Sequence, residues 1–79
     1  YPNPFNPITT IGYLVSRPEN VNLSIYNING QLVETLVSTM QDRGEYNVTW
    51  DASNQSSGMY FLKLAAGSEI QNRKLMLVK

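Results

Sequence analysis

A chain of 79 residues with six basic and six acidic side chains, and with neither cysteine nor histidine, makes one small domain that apolar burial alone must hold. The missing residue types exclude disulfides and thiolate metal sites and remove the commonest general base. A formal charge of zero leaves no electrostatic footprint for nucleic acid. No apolar run approaches the roughly 18 residues of a membrane helix, so neither nucleic-acid binding nor membrane insertion is expected.

Residues 1–7, YPNPFNP, carry three prolines, which restrict φ and remove three amide donors. A helix or a central strand is excluded there. The segment reads as a proline-rich extended lead-in or interdomain linker, with an edge strand that packs Tyr1 or Phe5 as the alternative. The chain begins at Tyr1 and not at Met, which suggests a piece of a longer protein. From Ile8 to Val15, the residues Ile11, Tyr13 and Val15 alternate with Thr10, Gly12 and Leu14, the period of a strand. Residues 17–20, RPEN, break it.

Val21, Leu23 and Ile25 alternate with Asn22 and Ser24, the cleanest period-two signal in the sequence. Two turns compete next: a two-residue type I′ turn at Asn29 and Gly30, or a type I turn from Asn27 to Gly30 with Gly30 left-handed in a bulge. The bulged turn places Val21, Leu23 and Ile25 on one face with Val33, Thr35 and Val37, provided the two segments pair as a hairpin. The two-residue turn would mix Glu34 into that face. In a sandwich the same connection could instead arch between sheets.

Residues 31–37 are the third expected strand, and residues 38–44, STMQDRG, a polar connection. Tyr46, Val48 and Trp50 then alternate along residues 45–51, with Trp50 expected at the centre of the core. Residues 52–57, ASNQSS, are a loop by composition. The last 22 residues, 58–79, read as a hairpin. Tyr60, Leu62 and Leu64 alternate with Phe61 and Lys63, and Ala66, Gly67 and Ser68 supply the turn. The return strand, residues 69–78, ends in Leu75, Met76, Leu77 and Val78. Four consecutive apolar residues predict cover on both faces there.

Six strands at short spacing and no helical period give the fold class: all-β, a small immunoglobulin-like antiparallel β-sandwich of six to seven strands, with residues 1–79 as a single domain. Chemistry is sparse. The acids Glu19, Glu34, Asp42, Glu45, Asp51 and Glu69 fall mostly at strand ends and loops, where solvation accounts for them. Asp51, Ser53, Asn54 and Gln55 offer oxygen ligands but only one carboxylate for calcium. Tyr46 and Trp50 could form a sugar-stacking strip, yet they alternate with polar residues as core positions do. No enzyme, metal or cofactor is expected.

Several segments together resemble a known family: YPNPFNPITTIGY at the start, IYNINGQLVETL in the middle, a strand ending in WD, then SSGMYFLKL and a terminal RKLMLVK. In this order they are similar to the C-terminal sorting domain of proteins exported by the type IX secretion system. The related immunoglobulin-like domain of the flagellar hook-capping protein shares the pattern. The resemblance implies a seven-stranded sandwich at the end of a secreted cargo in Bacteroidetes and their relatives, recognised by an outer-membrane translocon. A sortase-like peptidase removes it in many such proteins. Its implied partners are that machinery and an N-terminal cargo domain, and its implied location is the cell surface or the medium, reached through the periplasm and outer membrane.

By position, Pro2, Asn3, Pro4, Gly30, Gly58 and Tyr60 match the family motifs. Lys74 and Lys79 match its lysine-bearing terminal strand, which makes Lys74, Leu75, Met76, Leu77, Val78 and Lys79 the residues expected to be recognised, plausibly by strand addition. The loop between Asp51 and Gly58 is shorter than in many relatives. The competing reading is a structural spacer or carbohydrate-binding sandwich in a multidomain secreted protein.

Overall fold

A computed structural model describes residues 7–78. The proline motif of residues 2–4 and Lys79 therefore lie outside the described residues. Six strands are present among them: β1 (Ile8–Val15), β2 (Glu19–Tyr26), β3 (Leu32–Gln41), β4 (Gly44–Asp51), β5 (Gly58–Ala66) and β6 (Glu69–Leu77). They form two antiparallel sheets, β1-β4 and β3-β2-β5-β6. The alternation read from the sequence decides which side chains meet between them. Ile11, Tyr13, Val15 and Trp50 come from the small sheet, and Val21, Leu23, Ile25, Tyr60, Leu62, Leu64 and Leu77 from the large one; all are buried in one cluster. Trp50, 2% exposed, is the largest side chain in it and meets the ring of Tyr60 edge to face at 5.3 Å.

The turn between β2 and β3 is the bulged one. The Gly30 amide donates to the Asn27 carbonyl at 3.0 Å, and Gly30 has φ +79°. A type I′ turn needs a second left-handed residue, and no non-glycine residue described has positive φ. Asn27 organises the turn, its Oδ1 accepting from the amides of Asn29 and Gln31 at 2.9 and 3.0 Å.

The register beyond this turn differs from the expected one. Tyr26 stands opposite Leu32, Ile25 opposite Glu34 and Leu23 opposite Val37, so that Val33 and Leu36 are the extra residues of two bulges. Apolar residues spaced at 33, 36 and 37 cannot share a face at period two. Each bulge resets the alternation, and all three pack against the core. Thr35, expected beside Val33 and Val37, is instead exposed, its hydroxyl 3.4 Å from that of Ser24.

Residues 38–41, expected in a polar connection, extend β3, because Asn22 to Glu19 continue the ladder opposite Ser38 to Gln41. Backbone pairing does not require apolar side chains, so composition misplaced the strand end. Only Asp42 and Arg43 separate β3 from β4.

Candidate functional site: the edge strand β6 and the outer face of its sheet

Among the described residues β6 is an edge strand, paired with β5 on one side only. The expectation that residues 75–78 are covered on both faces is wrong. Leu77 is 8% exposed and Leu75 packs against the core, but Met76 and Val78 are each 69% exposed. The small sheet covers the inner face of the large one, and no element among the described residues lies over the outer face. The six residues expected to be recognised thus divide. Leu75 and Leu77 hold the strand to the core, Lys74, Met76 and Val78 are exposed, and Lys79 is outside the described residues.

Cross-strand pairing carries this outward face across the sheet. Lys74 stands opposite Phe61, Phe61 opposite Tyr26, and Tyr26 opposite Leu32, one row over four strands. Met59 stands opposite Met76 in the neighbouring row of β5 and β6. Sequence reading did not select Tyr26, Leu32, Met59 or Phe61. The signal was available: Tyr26 shares the outward phase of β2 with Asn22 and Ser24, and Phe61 that of β5 with Lys63, positions where a half-buried strand ordinarily carries polar residues.

Between residues 7–9 and residues 75–78 lies an apolar cleft of about 270 Å³ with Trp50 in its wall. The Trp50 indole N–H has no acceptor among the described residues. Further along the same flank the Arg73 guanidinium crosses to donate to the Gly12 carbonyl at 3.2 Å, so that a side chain bridges β6 and β1 where no ladder does.

The Gly-x-Tyr motif has a structural basis, and the chain uses it twice. Gly58 and Gly44 adopt φ +148° and +159°, values costly for any residue with a Cβ. Two residues on, Tyr60 donates its hydroxyl to the Ser56 carbonyl and Tyr46 to that of Asp42, each at 2.7 Å and each four residues back. Each tyrosine ties a sheet-crossing connection to the strand that follows, in the manner of the tyrosine corner of immunoglobulin-like sandwiches. The matched Gly58 and Tyr60 are therefore structural, as is Gly30 in its turn. Tyr46 also stacks on Tyr13 with centroids 5.5 Å apart. Trp50 is buried and Tyr46 is half-buried against the core, so the two do not form an exposed sugar-stacking strip.

Asp51, at the end of β4, accepts from the Ser53 amide at 3.0 Å, and hydrogen bonds from Ser53 hold its carboxyl below the usual range. Among the described residues no three metal-ligating side chains cluster.

No curated protein and no solved structure matches the chain. The sequence model of one family, described as the secretion system C-terminal sorting domain, matches residues 1–79. That match spans every strand of the sandwich, the Asn27–Gly30 turn and the Gly-x-Tyr element. The chain belongs to the family of C-terminal sorting domains of the type IX secretion system.

Proposed function

We propose that this domain is the export signal of a larger cargo joined at its N-terminal side, that the outer-membrane translocon reads it through β6, and that a sortase-like peptidase then removes it. Membership of the family implies export to the cell surface or the medium and contact with the type IX machinery. Recognition through β6 rests on one observation: this edge strand leaves Met76 exposed, as is Val78 just beyond its end, while Leu77 anchors it in the core. A free edge strand offers unpaired backbone groups for strand addition, with alternate side chains to give specificity. In this reading Lys74, Met76, Val78 and Lys79 make the contact, and Leu75 and Leu77 hold the strand in place.

The test is a fusion of residues 1–79 behind a periplasmic reporter in a type IX host. Release of the reporter to the surface or medium is expected, and retention in the periplasm refutes the reading. Cleavage is followed separately, by mass spectrometry of the exported reporter. Recovery of the reporter with all 79 residues attached would refute removal by a peptidase.

A further inference from the structure

The outer face of the four-stranded sheet has a composition that folding does not require. The core is complete on the other face, yet Tyr26, Phe61 and Leu32 form a continuous cross-strand row beside the Met59–Met76 pair. Leu32 is 57% exposed and Met76 69%. A contiguous apolar patch of aromatics and methionines is the composition of an interface core, and methionine adapts its shape to what it meets.

Charge on this face is one-sided. Lys63, opposite Ser24 and Asn72, and Lys74, opposite Phe61, share the outward phase. The acids of the same sheet stand in the inward register. Glu69 is opposite Ala66, which faces Val21; Glu34 is opposite Ile25; and Glu19 shares the phase of Val21. Neither lysine has a carboxylate partner among the described residues, whose ion pair is Arg17 with Glu19. A chain of zero net charge thus presents, among the described residues, a face with cations and no anions.

We propose that this outer face, extending from β6 over β5 and β2 to Leu32, is the docking surface of the domain, and that its occupant is a protein surface of the export machinery with apolar side chains rimmed by carboxylates. The proposal rests on the export reading above and names the surface and partner chemistry it requires. Charge complementarity selects this occupant. A second copy would set a lysine-bearing face against an identical one, which like charges oppose. An anionic lipid surface is recognised by clusters of roughly four to eight basic residues, and this face has two described lysines.

The experiment uses the same reporter fusion carrying Lys63→Glu with Lys74→Glu, or Met76→Ser. Lys63→Gln with Lys74→Gln neutralises without reversal, and Thr49→Glu, on the exposed outer face of the small sheet, is the control. A photo-crosslinking residue replaces Met59 or Met76 in one series and Thr49 in another. Expected are thermal midpoints equal to wild type, export of the reversed variant lowered by about tenfold or more, a smaller loss for the neutral one, and crosslinks to a subunit of the translocon from positions 59 and 76 but not 49.

Wild-type export by the reversed variant overturns the proposal and leaves the export reading standing. So do crosslinks that join two copies of the domain, or sedimentation of the purified domain with phosphatidylglycerol vesicles that the reversal abolishes. If the wild-type fusion itself stays in the periplasm, the export reading fails and the docking proposal falls with it.

Discussion

The Tyr60 hydroxyl donates to the Ser56 carbonyl at 2.7 Å while its ring meets that of Trp50 edge to face, so one side chain closes the β4–β5 connection and completes the core. The two contributions separate by substitution. Tyr60→Phe keeps the ring and loses the hydrogen bond, and should cost about 1 kcal/mol in urea unfolding. Tyr60→Ala should cost about 3–5 kcal/mol, as should Trp50→Ala. A Tyr60→Phe loss as large as that of Tyr60→Ala would show that the hydroxyl, and not the packing, dominates.

Gly58 faces open space, since a Cβ there would meet nothing within 4 Å, and only its φ of +148° resists substitution. Gly58→Ala should therefore destabilise by about 1–3 kcal/mol through backbone strain alone. Gly30 is equally unobstructed at φ +79°, in the left-handed region that asparagine tolerates. Gly30→Asn should cost less than Gly30→Val in the same unfolding measurement, and the reverse order would contradict the turn geometry.

Leu77 and Met76 are neighbours in sequence and opposite in exposure, at 8% and 69%. Leu77→Ala should lower stability by about 2–5 kcal/mol, whereas Met76→Ser should stay within about 0.5 kcal/mol of wild type. Deletion of residues 74–79 removes both kinds of contact together, so its effect on export would mix unfolding with lost recognition. Lys74→Ala and Lys79→Ala, which spare Leu75 and Leu77, should leave the unfolding midpoint unchanged and reduce export in the fusion assay.

Asp51 has a carboxyl pKa depressed by hydrogen bonds from Ser53. A depressed acid favours the folded state above its unfolded pKa, about 3.9, and that contribution is lost as the pH falls through the lower folded value. Asp51→Asn should accordingly flatten the acid limb of a urea-midpoint-against-pH curve below about pH 4. With no histidine in the chain, no side chain with an ordinary pKa between pH 5 and 8 is present, and the curve should be nearly level there. An unchanged acid limb in Asp51→Asn would remove Asp51 from the account.

Much of this protein is legible in its alternation. The positions of Ile11, Tyr13, Val15, Val21, Leu23, Ile25, Trp50, Tyr60, Leu62 and Leu64 in the core follow from period two, because a pleated strand sends successive side chains to opposite faces. A turn within residues 27–30 follows from Asn27, Asn29 and Gly30, whose local chemistry needs no distant partner, whereas the bulged form is favoured only through a cross-strand register, which the structure alters at Val33 and Leu36. The ordered motifs likewise carried the family. Partnership across strands is what the sequence by itself does not determine. The bulges at Val33 and Leu36, the continuation of β3 through polar residues, and the edge position of β6 depend on which strand lies alongside, a matter of non-local pairing. The run from Leu75 to Val78 is the clearest case. Four apolar residues specify a strand that some surface will cover, but only the layering of two strands over four leaves Met76 on the open face that also carries Phe61 and Tyr26, with Val78 exposed beside it.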